Sequence, residues 1–447
     1  MRALPPIGEE FEGCVFPDAR LLERVKKIAE QLEPDPRLSF PRACEDEGQL
    51  EGTYRFLEND RVTLETILGG HIGNTVERVR AAKRCLAIHD TTAFSFEGER
   101  EGLGLVDRAQ SGFYGHACLA VSANGRREPL GLLAFDTWTR RTKKGKRTTE
   151  ARKKEAGLES ARWLQQSVDV DALFADGTEV VHVEDREGDI FDSLATRAMT
   201  GMHFIVRACS TRVVLDDTNE TENVLERARR LPRICSRDIF LSARRAKFAG
   251  RPRAQYRNRN ERETTVELRA GRLRIRGPRR GGLDNKELSL NAIYVGESHP
   301  PKGEEAVEWL LFTTEPISTA SEVEWVVDSY RTRWLIEEYF KALKTGCSYE
   351  ERQLESLDAL LNALGVFAII AWRLLLLRFI QRTATDAPAS TVATEAELAV
   401  LVAKNRLNPG ATAQEFLMAL ARFGGHLKRN GPPGLLILWR ALRSLDT

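Results

Sequence analysis

The spacing of hydrophobic and polar positions changes along the chain. Up to about residue 70, apolar residues recur three and four apart. "DARLLERVKKIAEQL", "EDEGQLEGTYRFLEND" and "TLETILGGHIGNTVERVRAA" each predict an amphipathic helix, with Pro and Gly in the gaps. From Arg84 the period shortens. "RCLAIHDTTAFSF" predicts a strand with Asp90 at or near its carboxyl end, and "GHACLAVSANGRREPLGLLAFDTW" predicts two strands around an "ANG" turn. "EAGLESARWLQQSVDV" reads as helix. "TEVVHVEDREGDIFDSL" is an apolar strand ending in Glu184-Asp185, with Gly188 easing the turn into another helix. After strand "HFIVRA" comes an Arg-rich β insertion at about 208–308, then strand "EWLLFTTEPI". The stretch from about Asp386 is helical, broken at "NGPPG".

"DSYRTRWLIEEYFKALKTG", beginning at Asp328, reads as one more helix. At 100° per residue, Tyr330, Arg333, Glu337 and Lys344 fall within an arc of about 60°, with Leu335 and Leu343 across the helix and Ile336 and Phe340 towards one side. A Tyr, an Arg, a Glu and a Lys thus line up on the face that the core does not need. Ion pairs on a solvated helix would give a similar "RxxRxxxE" pattern.

Composition narrows the class. A chain of 447 residues with 42% hydrophobic and 30% charged residues is a multi-domain globular protein. Its seven cysteines are scattered without a CxxC, which points to free thiols in a reducing cytoplasm and away from a zinc site. The N-terminus "MRALPPIGEEFEG" has no apolar stretch of a signal peptide. The run "LDALLNALGVFAIIAWRLLLLRFI" is interrupted by Asp358, Asn362, Arg373 and Arg378, and so reads as a buried core helix with no membrane role. The net charge of +2 conceals two basic runs. Arg244 to Arg280 carries fourteen Arg or Lys against three Glu, and "RRTKKGKRTTEARKK" runs from Arg140 to Lys154. Such concentration suits a phosphate backbone, or else marks a solvated arm.

Three acids stand where metal chemistry could use them: Asp90 after one strand, Asp185 after another, and Glu337 on the late helix. Magnesium takes hard oxygen ligands and keeps several waters, so one or two carboxylates per ion suffice. Two ions about 3.5–4 Å apart can clamp the attacking and leaving oxygens of a phosphoryl displacement. An Asp after a strand is more commonly a turn or helix cap, so spacing alone leaves this triad open.

These segments resemble the hairpin-forming bacterial cut-and-paste transposases of the insertion-sequence-four family, which includes the transposon-five enzyme. "IHDTTAFSF" is similar to that family's first catalytic-aspartate segment and "VEDREGDIFD" to its second. Tyr330, Arg333, Glu337 and Lys344 match its Y-x2-R-x3-E-x6-K signature. "EGTYRFLEND" and "PPKGEEAVEWLLFTTEPIS" extend the resemblance, which runs to about Arg378. Two departures stand out: one residue is inserted after Lys344, and Cys209 replaces the family's second basic residue after Arg207.

The resemblance implies an α/β fold, with a ribonuclease-H-like mixed-sheet core carrying a β insertion and flanked by helical N- and C-terminal domains. Residues 1–70 would bind DNA ends, 71–383 would form the catalytic domain (insertion at about 208–308), and 384–447 would form a helical C-terminal domain. Asp90, Asp185 and Glu337 would gather two Mg2+ ions, with Mn2+ able to substitute. Tyr330, Arg333 and Lys344 would hold the strand near the cut, and Trp309 would stack on a flipped base, unless it is ordinary strand packing. Arg207 and Arg55 would contact DNA. The implied activity is nicking, hairpin formation and resolution, and strand transfer by a cytoplasmic homodimer on element ends and target DNA. The rivals are a nuclease of the same fold without strand joining, and a non-catalytic DNA-binding relative that inhibits transposition.

Overall fold

The computed structural model describes residues 6–107, 110–140, 149–209, 211–216, 218–241, 243, 259–278, 286–304, 306–383, 387–391, 393, 395–404 and 406–423. Much of both basic runs (141–148, 244–258 and 279–280) and the C-terminal stretch 424–447 lie outside these residues. The chain forms two compact units, one from residues 1–147 with 334–447 and one from 148–333.

The first unit begins with helices α1 (Ala19–Leu32), α2 (Phe40–Ala43), α3 (Glu47–Leu57) and α4 (Leu64–Ala82). The starts of α1, α3 and α4 are capped by side chains. Asp18 accepts from the Arg20 N–H at the start of α1, Asp46 from Gln49 N–H at α3, and Thr63 forms a reciprocal capping box with Thr66 at α4. α1 buries Val25, Ile28, Ala29 and Leu32, three and four apart, as an amphipathic helix must. α4 carries helix past residue 70 to Ala82, where Lys83 at φ 64° stops it.

The sheet of this unit contains β1 (Arg84–Phe96), β2 (Gly104–Asp107), β3 (Gln110–Ser122) and β4 (Pro129–Trp138). β3 pairs antiparallel with β1, β2 and β4. The expectation that Asp90 ends its strand is corrected: β1 runs on to Phe96, which pairs with Ser111, so Asp90 lies mid-strand opposite Ala117. The extension is held by the buried rings Phe94 and Phe96, which pack against Phe113 and meet Tyr349 edge-on.

A buried ionic chain ties the helices to this sheet. Glu10 and His71 are fully buried, His71 Nδ1 lies 2.6 Å from the Glu10 carboxylate, and Arg78 also bonds that carboxylate. His71 Nε2 accepts the Leu132 N–H of β4 at 3.0 Å, so the ring is neutral and donates to Glu10 through Nδ1. Burial pushes the His71 pKa down. Burial alone would raise Glu10, but its bonds and charge attraction to His71 and Arg78 prevail and hold the carboxyl at about 2.

Helix α10 (Leu357–Thr383) is the unit's axle and packs on α4 and β4. It is long and apolar enough to cross a membrane, but 94% of its most apolar window is buried, as a core helix requires. Its polar residues have internal partners. Asn362 Nδ2 donates to Leu57 O at 2.9 Å, Trp372 Nε1 to Pro129 O at 3.0 Å, and Arg373 pairs with Glu33 at 2.6 Å. Asn362→Ala orphans the Leu57 carbonyl and should cost about 1–3 kcal/mol in urea denaturation. Short helices α11 (Glu395–Ala403) and α12 (Ala413–Phe423) follow α10.

The second unit contains α5 (Thr149–Ala172), β5 (Glu179–Glu184), α6 (Phe191–Thr200), β6 (His203–Arg207), β7 (Val213–Leu215), β8 (Thr221–Asn223), α7 (Val224–Arg229), β9 (Arg233–Leu241), β10 (Arg262–Arg276), β11 (Glu287–Glu297), β12 (Glu308–Thr313) and α8 (Ala320–Thr332). β5 and β6 are parallel, joined across α6, and the order continues antiparallel through β12, β11, β10, β7 and β8, with β9 also on β10. The molecule is therefore mixed α/β with helices at both ends, the class expected from its sequence. β10 is a single strand that buries Val266, Leu268, Ala270, Leu273 and Ile275. Within it, a Cβ on Gly271 would meet Leu231 at 2.8 Å. All seven cysteines are free.

Candidate catalytic and nucleic-acid site

The first unit carries Asp90, Glu337 and Lys344. Asp90 is half-buried on β1, with its Oδ1 accepting the Thr91 N–H at 2.8 Å. The Thr91 hydroxyl lies 2.9 Å from Nδ1 of buried His116, which stacks on His89 at 5.8 Å. Helix α9 (Trp334–Lys341) packs on β1 through an apolar face that includes buried Ile336, Tyr339 and Phe340, leaving Glu337 exposed in its first turn. A carboxylate-bearing strand and a carboxylate-bearing helix thus lie against each other.

Lys344 follows in a π-helical turn, Ala342–Gly346, closed by Cys347 N–H to Ala342 O at 2.8 Å. Its ammonium bonds Ala93 O, lies 5.1 Å over the Phe94 ring and sits 3.8 Å from Glu350, which in turn accepts the Ser95 N–H. Burial lowers its pKa, opposed by Glu350. The lysine is therefore docked on β1 a few residues beyond Asp90. An indole absent from the sequence-based set stands close by: Trp334, 63% exposed, one helical turn before Glu337.

The second unit carries Asp185, Arg207, Trp309, Tyr330 and Arg333. Asp185 follows β5 directly and caps the turn Arg186–Gly188, accepting the Glu187 N–H at 2.7 Å. Tyr330 is buried on α8, its ring 6.2 Å from half-buried Trp309 of β12. Burial raises its phenol pKa, while Arg207 and Arg333 pull it down, Arg207 also through a hydrogen bond. Two arginines, a tyrosine and a tryptophan thus form one cationic, aromatic cluster.

The single helix expected for "DSYRTRWLIEEYFKALKTG" is corrected. α8 ends at Thr332, the Arg333 N–H turns back three residues to Tyr330 O at 3.0 Å, and α9 starts at Trp334. Tyr330 accordingly faces core while Glu337 faces solvent. Arg55 stands apart on α3, exposed and paired with Glu51 at 2.5 Å. A further metal-capable group, Glu179, His203 and Glu315, brings its ligand atoms within 4.8 Å of one another. It lies at the opposite end of β5 from Asp185. His203 sits 2.8 Å from Glu315 and 3.8 Å from Glu179, so ion pairing accounts for it.

Comparison with known proteins gives two family matches. Residues 7–62 match the family described as transposase DNA-binding, a span that holds Arg55. Residues 191–373 match the family described as transposase DDE domain, a span that holds Arg207, Trp309, Tyr330, Arg333, Glu337 and Lys344. Asp90 and Asp185 precede it. Among solved structures, piggyBac transposase in a synaptic complex with hairpin DNA is similar at 12% identity and a TM-score of 0.35, over 89% of this chain and 64% of that one. The chain therefore spans 64% of the length of that relative. The chain thus carries a match to the transposase DNA-binding family followed by a match to the transposase DDE domain family.

Proposed function

We propose that the protein is a cut-and-paste DNA transposase of the hairpin-forming insertion-sequence-four type, with Asp90, Asp185 and Glu337 as its metal-binding carboxylates. The observation that carries this reading is the succession of the two transposase domains, with the Tyr330, Arg333, Glu337, Lys344 signature inside the second. The donor set fits divalent magnesium: three carboxylates, none fully buried, on a strand, at a strand end and on a helix, offering only hard oxygen ligands. When bound, such ions supply Lewis-acid stabilisation of the attacked phosphate.

The remaining roles belong to side chains. Arg333 and Arg207 offer guanidiniums to phosphate oxygens. Lys344 places an ammonium beside β1, where it fixes strand and DNA backbone together. Trp309 presents a half-exposed ring, and Trp334 a largely exposed one, on which an unstacked base can lie. Arg55, in the span that matches the transposase DNA-binding family, contacts the element's terminus. The four steps are water nicking one strand, the 3′-hydroxyl closing a hairpin, water reopening it, and the 3′-hydroxyl joining target DNA. Each replaces one ester oxygen on phosphorus, which leaves as a hydroxyl, with an oxygen from water or from a 3′-hydroxyl, so one site serves them all. The working form is a homodimer on paired ends, acting on cytoplasmic DNA.

The test is a plasmid carrying candidate ends, incubated with protein and Mg2+ or Mn2+. Nicks, hairpins and joined products are expected. End binding without any nicking in either metal would leave a DNA-binding inhibitor instead, and cutting without joining of a pre-cut end would leave a nuclease. Trp309→Ala should slow hairpin formation by roughly tenfold, the worth of one stacked base, while first-strand nicking stays unchanged on a sequencing gel.

A further inference from the structure

The segment "VEDREGDIFD" contains more than Asp185. Glu184 and Arg197 form an ion pair at 2.5 Å in which both side chains are fully buried. The same guanidinium nitrogen donates to Trp163 O at 3.2 Å and Ser167 Oγ at 3.0 Å, both on α5. Glu184 Oε2 and Arg197 Nε and Nη1 have no hydrogen-bond partner among the described residues. As a source of stability this is a poor arrangement, because two desolvated charges with unsatisfied atoms are commonly bettered by an apolar pair of the same size. Its position is informative, since Glu184 is the last residue of β5 and Asp185 the next.

The turn beyond is closed onto the pair. A Cβ on Gly188 would stand 2.0 Å from Glu184 Oε2, so only glycine lets the turn lie there. At its far end Asp189, its side chain fully buried, accepts the Cys209 N–H at 2.7 Å and Arg212 Nε at 2.5 Å. Burial raises the Asp189 carboxyl, and Arg212 draws it down. The turn of residues 185–189 is thus held by buried carboxylates on both sides, with Asp185 already bonded to Glu187 N–H.

We propose that Glu184 and Arg197 are positioning residues: their buried pair anchors the end of β5 to α5 and α6 and so sets the Asp185 carboxylate before metal arrives. This rests on the reading of Asp185 as a metal ligand. Ligands already locked by their surroundings bind tighter than ligands that must be ordered on binding.

The test compares the full-length charge-free variant E184M/R197M with wild type and with D185N. In the metal-free protein, hydrogen exchange of the amides of residues 185–190 should rise. Mn2+ affinity by calorimetry should fall roughly 10–100-fold, with affinity for end DNA unchanged. If the double variant does not fold, Ser167→Ala removes one anchor of Arg197 with little disturbance and should raise the same amide exchange severalfold. A folded double variant, or failing that Ser167→Ala, with wild-type exchange and Mn2+ affinity overturns the proposal. If D185N keeps wild-type Mn2+ affinity and cleavage, the metal-ligand reading fails instead, while the exchange measurement still reports on the anchor.

Discussion

Asp90→Asn, Asp185→Asn and Glu337→Gln should each abolish metal-dependent cleavage while leaving binding to the element ends intact. Each replacement keeps the size of the side chain and removes one anionic oxygen ligand. Lewis-acid stabilisation of a phosphoryl transition state contributes several kcal/mol, so cleavage should fall by roughly a thousandfold or more. The folds should survive. Asp90 and Asp185 each use a carboxylate oxygen to accept a backbone N–H, a bond the Asn carbonyl can keep, and Glu337 is exposed. Gel-shift with end DNA and a nicking assay in Mg2+ and Mn2+ measure the two quantities separately. Nicking at wild-type rate by all three variants would refute the assignment.

The largest stability effect is expected at Glu10. Glu10→Ala leaves His71 and Arg78 facing an emptied, buried site, and breaking a buried ionic network from one side costs about 3–5 kcal/mol. That is a large part of the roughly 5–15 kcal/mol typical of a folded domain. The pH dependence has a definite sign. Glu10's carboxyl falls from the ordinary 4.5 to about 2 in the folded chain. Its contribution, about 3 kcal/mol for that difference, is complete above pH 4.5 and disappears as pH falls from 4.5 towards 2. His71 works in the same direction: its lowered pKa makes acidification below 6.5 unfavourable to the folded state, because protonating Nε2 would displace the Leu132 N–H. Urea denaturation of the wild type should therefore show a steep acid limb, and Glu10→Ala should be weaker at neutral pH and flatter between pH 4.5 and 3. Parallel profiles for the two proteins would contradict this account.

Much of the architecture was legible in the residue pattern because the signals were local. Apolar residues three and four apart announced α1, α3 and α4, the apolar run "EVVHVE" announced β5, and Gly188 announced the turn after Asp185. The interrupted apolar run at 357–380 read correctly as a core helix, since Asn362 and Arg373 could be buried only with partners in a protein interior. Tyr330, Arg333, Glu337 and Lys344, singled out by their spacing, fall within the residues that match the transposase DDE domain family.

What was not legible depended on contacts distant in sequence. The spacing of "IHDTTAFSF" cannot reveal that β1 continues past Asp90, because that extension is stabilised by β3 and by Tyr349. Helical periodicity carried straight through Arg333, although the helix is interrupted there and Tyr330 lies in the core beside Trp309. Lys344 could be placed on a polar face but not on the carbonyl of Ala93.

By itself, then, the sequence determined the local periods, the caps, the apolar core stretches and the residue types available for metal and phosphate chemistry, since each follows from backbone geometry over a few neighbouring residues. Only the tertiary structure decided which of those residues are buried and who their partners are. Glu10 meets His71 across 61 positions and Glu184 meets Arg197 across a helix turn and a loop. Burial and pairing are properties of three-dimensional neighbours, and charges far apart along a chain acquire their energies only when folding removes the water between them.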